Sequence, residues 1–276
     1  MSTTVSPLPL TPPLLEKLAR LERELEAHAP LMIGYSGGVD SACLLAFAQR
    51  TLGERALGVI ADSPSLPRQS LADALALAEK IGARVEVIRT QEMDNPQYAS
   101  NPLNRCYFCK SELFTKMEQL AGERRFRAIA YGENADDPAH LRPGSQAAKE
   151  YHVLAPLKSA GLTKGEIREI SRHLGLPTAD APAQPCLSSR ILHGNPVTLE
   201  ALAMVEKGEE WVRSLGFRIF RVRYFAGPEG APHARVQIAP DEMGGLPNVR
   251  TEVEGGLKAI GFAEVEIDPN GYRSAA

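Results

Sequence analysis

The chain has 276 residues, 43% of them hydrophobic, enough for one large domain or two smaller ones with a buried core. A formal net charge of −3 and a pI near 6.1 exclude the strong basic field expected of a nucleic-acid or membrane-surface protein. No apolar run approaches the roughly 18–20 residues of a membrane helix, and no basic-then-apolar leader opens the chain, so a cytoplasmic protein is expected. Four cysteines are too few for a disulfide scaffold at this size and read as thiols, metal ligands or catalysts.

In chain order, Met1–Pro13 is rich in Ser, Thr and Pro and reads as a flexible arm. Leu14–Ala27 carries Leu15, Leu18, Leu21 and Leu25 at helical spacing. A short strand from Leu31 follows and ends in Ser36-Gly37-Gly38-Val39-Asp40-Ser41, behind which a helix over Asp40–Leu52 is expected, with Asp40 as its N-cap. Gly37 and Gly38 permit a tight turn whose amides and positive helix end face an anion. The Gly-Lys-Ser/Thr ending of a Walker A loop is missing, so no lysine is built into the loop. Alone, a Gly-Gly turn is as well explained by structure.

Strands are expected at Ala56–Ala61, Val85–Ile88 and Ala128–Tyr131, and a helix at Pro67–Ile81. This alternation implies a doubly wound parallel α/β sheet with ligands at the carboxyl ends of its strands. The loops there carry Ala61 and Ser63, then a long stretch through Asn95 and Asn101, then Gly132-Glu133-Asn134-Ala135-Asp136-Asp137. Asp136 and Asp137 suit Mg²⁺ beside a nucleotide, or simply a solvated turn. Thr163-Lys164-Gly165-Glu166 has capping-box spacing and opens a further helix. A Pro-rich connector, Pro177–Pro185, leads to Cys186-Leu187-Ser188-Ser189-Arg190, and the domain boundary is placed at 191/192. The tail reads as a small α+β domain: helix Thr198–Leu215, strands Phe217–Phe225 and Ala234–Ile238, helix Val249–Ile260, strand Ala263–Ile267.

Cys106 and Cys109, assigned to the long third loop, suit a metal, a redox disulfide or two idle thiols at a helix start. With Cys186 they suit zinc plus a fourth ligand, or three corners of a cubane cluster. Cys43, in an apolar stretch, reads as core. Arg221 and Arg223 share one strand face, with Arg190 and Arg235 as further members of the cluster. They suit a phosphate or carboxylate ligand, or salt bridges with Glu209 and Glu210.

The first motif resembles the PP-loop of the ATP pyrophosphatases, adenine nucleotide alpha hydrolase-like proteins that split ATP between its α and β phosphates. The resemblance becomes more specific through Gly132–Asp137, Arg142-Pro143-Gly144, Ala160–Arg168, Pro182–Arg190 and Gly216–Arg223, which together resemble the LarE family of sulfur transferases. That resemblance implies ATP-dependent adenylation of pyridinium-3,5-biscarboxylic acid mononucleotide and replacement of AMP by sulfur, in maturing the nickel-pincer cofactor of lactate racemase. It implies ATP and Mg²⁺ at Ser36, Gly37, Gly38, Asp40, Ser41, Ala61, Ser63, Gly132 and Asn134. Substrate contacts fall to Ser189, Arg190, Arg221 and Arg223, and catalysis to Cys186, Asp40 and, by position, Glu209. The three cysteines imply the family members with a 4Fe-4S cluster on Cys106, Cys109 and Cys186. Other members sacrifice the sulfur of the cysteine matching Cys186. A sulfide or other sulfur donor and a homo-oligomeric enzyme are expected. Among the alternatives, a tRNA-thiolating PP-loop enzyme shares the loop and cysteines but normally shows a basic face. An ammonia-dependent amide synthase or a nucleotide sensor has no use for Cys186.

Overall fold

A computed structural model describes residues 10–138 and 143–272. Most of the N-terminal arm and Arg142 lie outside the described residues. The elements run α1 Pro12–His28, β1 Leu31–Gly34, α2 Val39–Leu52, β2 Ala56–Asp62, α3 Arg68–Lys80, β3 Val85–Arg89, α4 Pro96–Ala99, α5 Arg105–Arg124 and β4 Ala128–Tyr131. They continue α6 Pro143–Glu150, α7 Pro156–Ser159, α8 Lys164–His173, α9 Leu199–Ser214, β5 Phe220–Ala226, β6 Pro232–Ile238, α10 Leu246–Ile260 and β7 Glu264–Ile267. The chain forms two compact units.

The first unit comprises residues 1–63, 68–91 and 106–181. Its sheet has the order β3-β2-β1-β4, all parallel, with Leu31 level with both Ala56 and Ala128. Parallel strands need crossovers, and the amphipathic helices supply them. On one face Met32, Val59, Ile129 and Tyr131 pack with Phe114, Met117, Leu120 and Ala121 of α5. On the other, Gly58 leaves room for Leu45 of α2, whose side chain a Cβ at Gly58 would meet at 3.1 Å. The expected parallel α/β sheet is therefore present.

Several local expectations change. The long loop after β3 is largely helical: α5 begins at Arg105, so Cys106 and Cys109 stand one turn apart at its start. The run Phe114, Met117, Leu120, Ala121 has the i, i+3, i+4 spacing that identifies this helix. Gly38, not Asp40, is the N-cap of α2, in extended conformation, and Asp40 lies inside the first turn. Pro12 and Pro13, assigned to the arm, open α1, where proline is tolerated because first-turn amides have no intrahelical partner. The capping box at Thr163 and Glu166 forms as expected.

The second unit comprises residues 64–67, 92–105 and 182–276. Residues 182–191, assigned from the sequence to the first domain, sit here. Its sheet is β5-β6-β7, antiparallel then parallel. Val222, Val236 and Ile238 pack against Met204 and Val212 of α9 and Val253 and Leu257 of α10. Gly208 lets these elements approach, since a Cβ there would lie 2.9 Å from Leu257 and 3.3 Å from Val222. β5 starts at Phe220, three residues later than expected, and α10 starts at Leu246, three residues earlier.

Candidate active site: a glycine loop and a cysteine turn

In the first unit the chain leaves β1, turns at Gly37 with φ +75°, and enters α2. A Cβ on Gly37 would lie 2.8 Å from Ala74 Cβ of α3. The loop closes on itself: Ser41 Oγ donates to Gly38 O at 3.1 Å and accepts from Ser36 N at 3.2 Å. Ser36 Oγ lies 3.1 Å from Ser41 Oγ. Tyr35 Oη donates to Ala74 O at 2.8 Å, and burial pushes this phenol up to about 12. The first-turn amides of α2 have no intrahelical acceptor, and with the helix dipole they make an arrangement that favours negative charge.

Gly132, at the end of β4, is pressed against this helix start: a Cβ there would lie 2.7 Å from Ser41 N. Lysines absent from the loop arrive from elsewhere in the fold. Lys164, at the start of α8, donates to Asp40 Oδ2 at 2.7 Å, while Asp40 Oδ1 is buried with no partner among the described residues. Lys158 donates to Glu133 Oε1 at 3.1 Å and to Asp137 O at 3.2 Å. Burial alone would raise the Glu133 carboxyl, but hydrogen bonds from Tyr131, Ser145 and Lys158 hold it below its ordinary value. Lys110 of α5 lies over the Tyr131 ring at 4.9 Å, and burial lowers its pKa against the pull of Cys109 and Cys106. Sequence reasoning missed all three lysines. Lys164 was in view only as part of a capping box.

The acidic turn after Gly132 is tied together by its own hydrogen bonds. Asn134 Oδ1 accepts from Asp136 N at 2.9 Å, Asp137 Oδ2 accepts from Asn134 N at 3.1 Å, and Asp136 Oδ2 accepts from Lys164 N at 2.7 Å. Asp136 and Asp137 thus shape the turn, and Asp136 joins it to α8. Ala61 lies near the end of β2, and Ser63, just beyond, is buried with its carbonyl accepting from Arg68 at 2.7 Å. Among the described residues no group of three His, Cys, Asp or Glu side chains is gathered as for a metal ion. Cys43 is buried in α2, as expected, and burial raises its thiol to about 12.

In the second unit, half-buried Cys186 immediately precedes a 3-10 turn, Leu187–Arg190. Ser189 Oγ donates to Cys186 O at 2.7 Å. Arg190 donates to Cys186 O at 3.1 Å and to Pro185 O, and its Nε–Nη2 edge grips both carboxylate oxygens of Glu209 of α9, at 2.9 and 3.0 Å. Glu209 also accepts from Val222 N at 3.3 Å. Of the two readings of Arg221 and Arg223, salt bridges with Glu209 or Glu210 do not form among the described residues, because Arg190 takes Glu209. Arg221 donates to Ala183 O at 2.9 Å and to Phe220 O at 2.6 Å, under the Tyr272 ring at 4.5 Å. Arg223 donates to Ser189 O at 3.1 Å and to Gln237 Oε1 at 2.6 Å. Neither has a carboxylate partner among the described residues. Burial, and the charge of Arg190, lower both guanidinium pKa values. Arg235, opposite Arg223 across the strands, is neutralised by Glu266. A polar cavity of about 460 Å³ opens beside Arg223, lined by Gln237, Asp268, Asn270, Gly271 and Tyr272.

The NAD synthase family model matches residues 18–136, from α1 through the Gly132 turn. The chain is 40% identical over 262 residues to protein slr1717 of Synechocystis sp., covering 94% of this chain and 95% of that one. It is 28% identical over 262 residues to the pyridinium-3,5-bisthiocarboxylic acid mononucleotide synthase of Lactiplantibacillus plantarum, covering 95% and 93%. To the NH(3)-dependent NAD(+) synthetase of Hyperthermus butylicus it is 27% identical over 222 residues, covering 70% and 75%. With a glycine loop as the nucleotide end and near full-length likeness that takes in the cysteine turn, the chain belongs to the LarE family of PP-loop ATP pyrophosphatase-type sulfur transferases.

Proposed function

We propose that this enzyme adenylates and thiolates pyridinium-3,5-biscarboxylic acid mononucleotide, giving the bisthiocarboxylate named for the Lactiplantibacillus relative. The observation that carries the reading is Arg223 bonded to Ser189 O, three residues after Cys186, with neither Arg221 nor Arg223 neutralised by a carboxylate among the described residues. Such guanidinium groups, beside a thiol, suit a phosphate-bearing substrate that receives sulfur.

The β and γ phosphates of ATP sit on the Ser36–Ser41 loop. Asp40, with its orphaned Oδ1, is the carboxylate suited to Mg²⁺, and Lys164 neutralises phosphate charge from the opposite side. Asn134 and Gly132 complete the wall, and Ala61 and Ser63 border the adenosine. A substrate carboxylate oxygen attacks the α phosphorus, the bond to the bridging oxygen breaks, and pyrophosphate leaves. A sulfur nucleophile then attacks the acyl carbon, the acyl C–O bond breaks, and AMP departs with the electron pair. A second round converts the other carboxylate. Arg221 and Arg223 hold the substrate phosphate. Glu209 is a positioning residue that fixes Arg190, and Arg190 with Ser189 fixes the carbonyl of Cys186.

Cys106 and Cys109 stand three apart at the start of α5, one exposed and one half-buried, a donor pair suited to iron at a helix end that favours thiolates. With Cys186 they would hold a 4Fe-4S cluster, which supplies sulfide when bound. The test is anaerobic purification. About four iron and four sulfide per chain are expected, as for one cubane, and Cys106→Ala should lose them. Iron-free protein that turns over once and leaves dehydroalanine at position 186 would replace this with the sacrificial route.

A further inference from the structure

Arg105 is only 5% exposed, yet among the described residues it has no carboxylate partner. Both of its side-chain hydrogen bonds among the described residues come from Nη1, one to Ser188 O at 2.9 Å and one to Asn101 Oδ1. Its Nε and Nη2 have no hydrogen-bond partner among the described residues. An unneutralised guanidinium is costly to bury, and its Nε–Nη2 edge is the geometry that grips an oxyanion with two parallel bonds.

The surroundings hold this group still. Asn101, at φ +57°, donates to the carbonyls of Ile191, Leu192 and Asn195 at 3.2, 3.0 and 2.9 Å. Tyr98 Oη and Ser188 Oγ are 2.7 Å apart, and Val197 N donates to Ala99 O at 2.8 Å. The segment 98–105 therefore clamps the stretch that follows Cys186, and Arg105 is anchored to the residue two places beyond that cysteine. Arg190 holds the same turn, but Glu209 neutralises it. Of the two arginines that hold this turn, Arg105 is the one with an Nε–Nη2 edge left unpaired among the described residues.

We propose that Arg105 binds a carboxylate of the substrate beside Cys186, through its Nε–Nη2 edge, while Arg221 and Arg223 take the phosphate. This rests on the mononucleotide reading and adds a recognition residue for the ring substituent. The chemistry recognised is an oxyanion, and the assignment is to carboxylate rather than phosphate.

The probes are two pyridinium ribotides that differ only at position 3 of the ring, nicotinic acid mononucleotide with a carboxylate and nicotinamide mononucleotide with a neutral amide. Calorimetry on the wild type should show the acid bound roughly tenfold or more tighter, the worth of one charged hydrogen-bond pair. Arg105→Gln, which keeps donors for Ser188 O and Asn101 but no charge, should erase that preference. Arg105→Lys should retain part of it, and Arg223→Ala should weaken both ligands alike. Preference that survives Arg105→Gln while Arg223→Ala still weakens both would overturn this proposal alone. Arg105→Gln weakening both ligands equally, or weakening inorganic phosphate and sparing the preference, would overturn it too. A wild type that binds neither ribotide would remove the mononucleotide reading and the Arg105 assignment with it.

Discussion

Lys164 Nζ lies 2.7 Å from Asp40 Oδ2, although 124 residues of sequence separate them. The pair brings a cation to the glycine loop that a Walker lysine would have supplied from within. It is partly exposed, with the lysine side chain 39% accessible, so its contribution to folding is small, within about 1 kcal/mol. Lys164→Ala should therefore leave the unfolding midpoint near wild type. Loss of a charge-stabilising group at the phosphates should still lower pyrophosphate release by roughly a hundredfold or more. Parallel melting and turnover assays check this, and comparable losses in both would make Lys164 a structural residue.

Gly37 leads into the start of α2 and Gly132 is pressed against it, and neither position has room for a Cβ. Gly132→Ala drives a Cβ against Ser41 N, and Gly37→Ala combines φ +75° with a Cβ 2.8 Å from Ala74. Each should cost about 1–3 kcal/mol and impair ATP binding. Gly165→Ala is the control, in α8 with nothing within 4 Å of the new atom, and should be neutral or slightly stabilising. Urea titration and ATP calorimetry on the three variants separate the cases.

Glu133 gives a pH dependence with a definite sign. Its folded pKa lies below the ordinary 4.5, so the unfolded state binds its proton more readily. Its stabilisation is complete above that ordinary value and is lost as pH falls through the lower folded value. The stability difference between wild type and Glu133→Gln should be largest near neutrality and shrink below pH 4.5. A difference that grows on acidification would contradict the network around Glu133.

Much of this was readable in the sequence. The strand Ala128–Tyr131, the parallel sheet and the Thr163 capping box are local patterns, set by alternation, helical spacing and short-range hydrogen bonds. The Ser36–Ser41 loop was legible for the same reason, since its glycines and serines bond one another within five residues. Helix α5 was legible but overlooked: its apolar spacing is present, and the cysteine pair drew the reading towards a loop. Lys164 on Asp40, Lys158 on Glu133 and Arg190 on Glu209 were not legible, because tertiary packing decides which charges meet. Nor does spacing reveal that Asn101 and Arg105 turn back onto residues 90 and 83 positions away.

The Arg190–Glu209 pair is buried at both ends, with 4% and 7% of the side chains accessible. Glu209→Ala strands a buried guanidinium and should cost about 3–5 kcal/mol. The double change Arg190→Met with Glu209→Leu should recover much of that stability without recovering activity, because the carbonyl of Cys186 loses its one charged donor and keeps only those of Ser189. Urea unfolding of the single and double variants, beside turnover, checks both halves. A double variant with wild-type turnover would detach Arg190 from the reaction.

The most direct test of the central claim is the product set from ATP with and without the pyridinium dicarboxylate mononucleotide. AMP and pyrophosphate should form only when the mononucleotide is present, and mass spectrometry should show sulfur in place of a carboxylate oxygen in the product. Asp40→Ala and Arg223→Ala should each abolish or severely reduce both signals in folded protein. ADP and inorganic phosphate, or pyrophosphate release indifferent to the mononucleotide, would contradict the account.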